Sequence, residues 1–216
     1  TELRGAIEFR NLTFNYKTGS AIVLNDISFQ IEAGKTLAIV GRTGSGKSTI
    51  IELLTRVYNP PRNTIFIDGH ELFKIPLDTL HQKVVMVPQE IFLFSDTVAN
   101  NIRLGKSTAS MEEVIEVCKK AQIYDSILEF DKGIETMVGE RGVTLSGGQK
   151  QRLAIARALL TDPNILILDD ALSAVDTKTE KNILEDLIEM RRQKTTIIIS
   201  HRISSIQHAD KIIVLN

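Results

Sequence analysis

Residues 41–48, "GRTGSGKS", leave this chain fewer options than any other stretch. They follow the short apolar run "LAIV" (37–40) and precede "STIIELLTRV", whose apolar residues recur at helical spacing. The pattern G-x-x-x-x-G-K-[ST] between a strand and a helix forms a cradle for phosphate. Gly41, Gly44 and Gly46 admit backbone angles that other residues resist. The loop's N–H groups, across Arg42, Thr43 and Ser45, can then turn inward on an anion. Lys47 adds a mobile positive charge, and the Ser48 hydroxyl, with Thr49 beside it, is placed to ligate Mg²⁺. The helix expected from Lys47 to about Val57 contributes the positive end of its dipole. A bare glycine-rich turn would share the composition but not this strand–loop–helix context. The chain is therefore expected to bind a nucleotide.

The rest of the sequence supplies a matching frame. The first third reads as strand: "AIEFRNLTF" alternates through Ile7, Phe9 and then Leu12, Phe14, and "IVLNDISFQI" through Leu24 and then Ile27, Phe29, Ile31. A turn at Gly34-Lys35 leads into "TLAIV" (36–40), and "TIFIDG" (64–69) and "KVVMV" (83–87) follow as further strands. From Ser95 to Lys120 helical signals dominate, with almost no strand signal. Ser110 and Glu113 form a capping box ahead of "MEEVIEVCKKA", and "QIYDSILEF" reads as another helix. The last third alternates again. "QKQRLAIARALL" is a helix stopped by Asp162-Pro163, and "ILIL" (165–168) is a buried strand. "TKTEKNILEDLIEMRRQ" is an amphipathic helix with Ile183, Leu187 and Met190 on one face. "TTIIIS" (195–200) and "KIIVL" (211–215) are strands. Continuous apolar strands alternating with helices predict a mostly parallel sheet, with a helical lobe inserted in the α/β core.

Composition excludes several alternatives. With 26 basic and 27 acidic residues among 216, the chain lacks the basic excess that non-specific nucleic-acid binding uses. Its single cysteine, Cys118, permits no internal disulfide and no cysteine-based metal site, and it falls on the apolar stripe Val114, Val117, Cys118, Ala121. No apolar run approaches the roughly 18 residues that span a bilayer, and no signal peptide is recognisable. The chain begins with Thr1 rather than Met and is read as a piece of a longer one.

A second cluster of chemistry lies in "ILILDD" (165–170). Asp169 ends a buried strand, where a carboxylate can hold Mg²⁺ through water. Asp170 comes next and can polarise an attacking water. In "LSGGQ" (145–149), Ser146 and the amides of Gly147 and Gly148 can bind an anion at the start of the following helix. His201 directly follows an apolar strand, at the edge where open α/β sheets bind ligands, whereas His70, His81 and His208 read as structural.

Taken in order, the motifs are Tyr16 in "FNY", the loop at 41–48, Gln89 in "VPQE", "LSGGQ" at 145–149, "ILILDD" at 165–170, "SAVD" at 173–176 and His201 in "IISHR". This series resembles the nucleotide-binding domain of an ATP-binding cassette (ABC) transporter over nearly the whole chain. The resemblance implies a P-loop NTPase core with a mostly parallel sheet, an antiparallel β subdomain and an inserted α-helical lobe. The core with its β subdomain would occupy 1–92 and 161–216, and the lobe 93–160. The cofactors implied are ATP and Mg²⁺. Tyr16 would stack on adenine, Gln89 would touch Mg²⁺ and the attacking water, and His201 would contact the γ-phosphate. Ser146, Gly147, Gly148 and Gln149 would close over ATP held by a second domain, the two domains joining head to tail. Asp176 would lie at that interface, and it can also cap a helix. "VGERG" (138–142) resembles the loop by which exporters signal to their membrane helices, and "LFSDTVANNI" (93–102) resembles the exporter pattern after the glutamine. A transmembrane domain of the same polypeptide, at the cytoplasmic face of a bacterial inner membrane, is the partner this implies.

One position departs from the family. Most members carry Glu after the strand aspartate, and this chain carries Asp170. The change shortens the side chain by one carbon–carbon bond, about 1.5 Å. "LDDALSAVD" is similar to one half of heterodimeric bacterial multidrug exporters, in which one ATP site is degenerate. The expectation is that this chain's own site turns over slowly while its "LSGGQ" completes the fast site of a Glu-bearing partner. Two other readings stand beside it: an ATP-gated dimerisation module with little hydrolysis, and a soluble ABC ATPase unconnected with transport.

Overall fold

A computed structural model describes residues 3–17, 21–140 and 142–216. Thr1 and Arg141, both used in reading the sequence, lie outside the described residues. The strands are β1 (Ile7–Phe14), β2 (Leu24–Ile31), β3 (Thr36–Gly41), β4 (Ile65–Ile67), β5 (His70–Glu71), β6 (Val84–Val87), β7 (Asp96–Thr97), β8 (Met137–Val138), β9 (Ile165–Asp169), β10 (Thr195–Ile199) and β11 (Lys211–Leu215). The α-helices are α1 (Lys47–Leu54), α2 (Leu77–Lys83), α3 (Val98–Arg103), α4 (Met111–Lys120), α5 (Tyr124–Leu128), α6 (Gly147–Leu160), α7 (Thr177–Met190) and α8 (Ile203–Ile206). They group into two compact units. The first takes the described residues up to Val85, Asn164–Ile167 and Arg191–Asn216; the second takes Met86–Pro163 and Leu168–Met190.

The first unit contains an antiparallel sheet of order β2-β1-β4-β5 and most of a sheet of order β11-β3-β10-β9-β6. The expected α/β class, with parallel and antiparallel parts, is what the chain adopts. Both β1 and β2 change alternation phase midway, from Ile7 and Phe9 to Leu12 and Phe14, and from Leu24 to Ile27. The pairing accounts for it: the register shifts between Phe9 and Leu12 and again between Leu12 and Phe14. Asn11 (φ 42°) and Asp26 (φ 52°) take left-handed backbone there, as bulge residues do. Without these slips half of each strand's apolar set would face water. In the second sheet β3 pairs in parallel with β10, Ile39 opposite Ile199, and with β11, Gly41 opposite Leu215. Leu37, Ile39, Leu53, Leu54, Ile165 and Ile197 are among the residues of one continuous apolar core. Burying such side chains contributes roughly 1.5–3 kcal/mol each before chain entropy is set against it.

In the second unit α4 and α3 pack on α6. The Ser110–Glu113 capping box forms as the sequence predicts. Helix α6 starts at Gly147 and reaches Leu160; Asp162 beyond it turns left-handed (φ 50°), with Pro163 next. Cys118 is fully buried, and burial pushes its thiol pKa up to about 12. Only the thiolate reacts with alkylating reagents. Iodoacetamide at pH 8 is therefore expected to leave native Cys118 unmodified and to label it fully in denaturant. Rapid native labelling, read by mass spectrometry, would contradict this burial.

Three local expectations need correction. Helix α1 ends at Leu54, not near Val57, because Arg56 is left-handed (φ 55°) and Pro60 and Pro61 follow shortly. The stretch 95–120, read as almost without strand signal, holds the two-residue β7, which pairs antiparallel with β8. Met190 does not share the burial of Ile183 and Leu187: it is 39% exposed at the last residue of α7.

Candidate functional site

In the first unit, β3 delivers the chain at Gly41 into a tight loop whose turn is closed by Ser45 N–H donating to the Arg42 carbonyl at 3.1 Å. A Cβ on Gly41 would stand 2.5 Å from the Leu215 carbonyl oxygen and 2.5 Å from Ser45 Oγ, so glycine is required by space. Gly44 (φ 83°) is required by conformation, and Gly46 (φ 93°) by conformation and by space, a Cβ there lying 2.6 Å from Leu24 Cδ2. Gly46 is also the N-cap of α1, without a capping side chain. Helix N–H groups left unbonded in this way carry the positive end of the dipole. Arg42, Thr43, Gly44 and Ser48 are exposed, whereas Lys47 is 8% exposed. The Lys47 ammonium donates to the carbonyls of Gly41 and Arg42 at 2.8 and 2.9 Å. Ser45 Oγ is buried with no hydrogen-bond partner. A buried hydroxyl without a partner is costly by itself and fits a loop that accepts a phosphate oxygen.

Tyr16 is 42% exposed, its ring meeting Phe14 and Tyr58 edge-on at 5.3 and 5.0 Å. Its hydroxyl donates to Glu52 Oε2 at 2.6 Å and shares a 2.8 Å hydrogen bond with Thr49 Oγ1. Partial burial, and then the Glu52 bond, raise its pKa. Thr49 is thus buried against Tyr16, while Ser48 stays open at the helix start. His201 is exposed two residues beyond β10. Because β3 and β10 run parallel, His201 and the glycine loop leave the sheet at the same carboxyl edge. Ser200 shapes the turn: its Oγ accepts from Arg202 N–H at 3.1 Å and donates to Ser205 at 3.0 Å.

In the second unit, Asp169 ends β9 and is half-buried. Asp170 follows with left-handed backbone, φ 46°, a region that Asp and Asn enter more readily than other non-glycine residues. Its carbonyl accepts from Ser173 N–H at 3.1 Å. The turn ends at Asp176, whose carboxylate accepts from Thr179 N–H at 3.0 Å and so caps α7. That backbone hydrogen bond is the first cause of its lowered pKa. At the other helix start, Ser146 and Gln149 form a capping box, Ser146 Oγ accepting at 3.1 Å and Gln149 Oε1 at 2.9 Å. The Ser146 O–H remains a donor while its oxygen accepts. Gly147 and Gly148 permit close approach: a Cβ would lie 3.1 Å from Ala174 Cβ and 2.9 Å from the Ala174 carbonyl oxygen, respectively.

Gln89 is exposed in the bend after β6. Beyond it Asn101, buried, holds the loop that carries Phe94, donating to the Phe94 and Thr97 carbonyls at 3.0 Å each and accepting from Phe94 N–H at 2.9 Å. Phe92 and Phe94, 69% and 52% exposed, meet edge-on at 4.9 Å. Beside them a cleft of about 300 Å³ is lined by Ile91, Phe92, Leu93, Glu140, Val143 and Lys150, among others.

The sequence profile described as ABC transporter matches residues 24–173. The chain belongs to the ABC transporter family. The chain is 50% identical over 212 residues to an ATP-dependent lipid A-core flippase of Photorhabdus laumondii subsp. laumondii, covering 98% of this chain and 36% of that protein. Over 214 residues it is 44% identical to a putative multidrug export ATP-binding/permease protein, YgaD, of Bacillus subtilis, covering 99% of this chain and 37% of the relative. Among solved structures, a bacterial Atm1-family ABC exporter with ATP bound superposes with a TM-score of 0.93 at 44% identity, over 99% of this chain and 37% of that one. The chain therefore spans little more than a third of the length of these ABC relatives. Among the described residues, no helix is long and apolar enough to cross a membrane.

Reading the sequence missed several residues that organise the site: Glu52 behind Tyr16, Ser200 beside His201, Asn101, and Gln151, which is 4% exposed. Only Gln151 leaves a legible signal, a polar side chain on the apolar face of α6. Among the described residues no group of His, Cys, Asp or Glu converges as a metal cage. Nucleotide-borne Mg²⁺ needs none, since one or two protein oxygens plus phosphates and water suffice.

Proposed function

We propose that this chain is the ATP-binding and ATP-hydrolysing domain of an ABC exporter, with its own site slowed by Asp170. The observation that carries the reading is the loop at 41–48: a glycine-shaped turn that holds a nearly buried lysine ammonium on its own carbonyls, next to a buried serine hydroxyl without a partner. Such a loop is costly to keep unless an anion uses it. Tyr16, oriented through Glu52 and Thr49, stacks on adenine. Arg42, Thr43, Gly44, Ser45, Gly46, Lys47 and Ser48 surround the phosphates, and Ser48, Gln89 and Asp169 hold Mg²⁺. Bound Mg²⁺ supplies neutralisation of charge on the phosphates. Asp170 polarises the water and His201 contacts the γ-phosphate.

Ser146, Gly147, Gly148 and Gln149 serve ATP on a second nucleotide-binding domain, in a head-to-tail pair with Asp176 at the interface. A Glu-bearing partner domain gives that pair one slow and one fast site. The names of the relatives support a lipid or multidrug type of export. The exposed Phe92–Phe94 pair and its cleft suit a docking segment of the exporter's membrane domain. Asp170 also favours a second reading, an ATP-gated dimerisation module with little turnover. Equilibrium binding of Mg·ATP, followed by turnover per molecule at rising chain concentration, tests the proposal. Saturable binding and a rate per molecule that rises with concentration are expected. Absence of Mg·ATP binding would sink it.

A further inference from the structure

Helix α6 and the turn that follows β9 are tied together by one side chain that no step above uses. Gln151 sits one turn into α6 and is 4% exposed. Its Oε1 accepts from Ala174 N–H at 2.9 Å. Its Nε2 donates to Ser173 Oγ at 3.0 Å and, at a longer 3.4 Å, to the Asp170 carbonyl. Both ends of the amide are therefore committed to the segment from Asp170 to Ala174. The turn closes on itself through Ser173 N–H to the Asp170 carbonyl at 3.1 Å. One helical turn earlier, Gly148 brings the α6 backbone close to the Ala174 carbonyl, leaving no room for a Cβ at 2.9 Å. The turn is thus fixed to the helix at two points, one steric and one hydrogen-bonded. Asp170 enters this turn in the left-handed region, φ 46°, which persists where surrounding contacts over-determine it.

We infer that Gln151 is a positioning residue: it sets the carboxylate of Asp170 through the backbone of 170–174, and it makes the "LSGGQ" helix and that turn move as one body. Closure of the helix start on a partner's nucleotide is then felt at this chain's own water-polarising carboxylate. The inference rests on the proposed ATP hydrolysis. Because a misplacement of about 1 Å can cost on the order of 100-fold in rate, a loosened turn is expected to act on kcat. The phosphate loop and Tyr16 belong to the other unit, so nucleotide affinity is expected to hold.

The test compares Gln151→Met, which keeps length and removes both polar ends, with Gln151→Glu, which keeps the acceptor for Ala174 N–H. Each is made with and without Asp170→Glu. Folded fraction is measured by circular dichroism at the assay temperature, Mg·ATP affinity by titration, and turnover is expressed per folded chain. We expect Gln151→Met to lower kcat by about tenfold with affinity unchanged within about twofold. Gln151→Glu should recover part of the loss. The gain from Asp170→Glu should shrink severalfold in the Gln151→Met background, because residues in one hydrogen-bond network are not additive. Should Gln151→Met not fold, the same cycle run with Gln151→Glu decides. Unchanged kcat per folded chain, or an Asp170→Glu gain of equal size in both backgrounds, overturns the inference. An unaltered chain that fails to bind Mg·ATP would instead remove the proposed function beneath it.

Discussion

The Lys47→Ala variant is expected to bind Mg·ATP about 100-fold more weakly than the unaltered chain, taking two charge-assisted hydrogen bonds at roughly 1.5 kcal/mol each. Lys47 is the cation enclosed by the loop, 8% exposed, with its ammonium resting on the Gly41 and Arg42 carbonyls at 2.8 and 2.9 Å. These carbonyls hold the charge where it can transfer to phosphate oxygens with little rearrangement. Removing it leaves the loop amides and the α1 dipole to bind the phosphates alone. Lys47→Arg is expected to rescue poorly, because a planar guanidinium does not fit a pocket shaped for a compact ammonium. Isothermal titration with Mg·ATP reads both variants. An affinity within threefold of the unaltered chain for Lys47→Ala would mean that the loop is not the phosphate site.

Asp170→Glu is expected to raise Mg·ATP turnover at least about tenfold, by restoring the hydrogen-bond reach that a general base needs. The added carbon–carbon bond extends the carboxylate by about 1.5 Å. The same change should lower stability slightly. Residue 170 has φ 46°, where Asp is tolerated and a longer side chain costs on the order of 1 kcal/mol. Activity and melting temperature should therefore move in opposite directions. A general tightening of the fold would move them together, so the pair of readouts separates the two causes. If the unaltered chain already turns over as fast as the variant, Asp170 is a competent base, and the slow-site reading falls.

Much of this was open to reading in the sequence because it depends on local pattern. The strand–loop–helix around Lys47 needs only glycine chemistry and apolar runs, and the Ser110 cap needs only its Glu113. The strands β1 and β2 carried more information than their outline: the change of alternation phase within each marks a bulge, and Asn11 and Asp26 sit at the slips. What could not be read are contacts between distant segments. Tyr16 and Glu52 meet across 36 positions, and Gln151 and Ala174 across 23. Nor does helical periodicity reveal where a helix stops. Met190 keeps the spacing of Ile183 and Leu187 yet sits exposed at the end of α7. Asp176 had two roles open to it, and its 3.0 Å bond to Thr179 N–H fills the capping one while leaving an exposed carboxylate for the other.

The most direct measurement uses radiolabelled ATP. The chain and its Asp170→Glu variant are incubated with Mg·ATP at equal high concentration, free nucleotide is removed, and the retained label is identified after quenching. The account predicts that the unaltered chain retains label chiefly as ATP over minutes, while the variant's is converted to ADP. Equal conversion in both would contradict a slow site, and no retained label in either would contradict an ATP-binding domain.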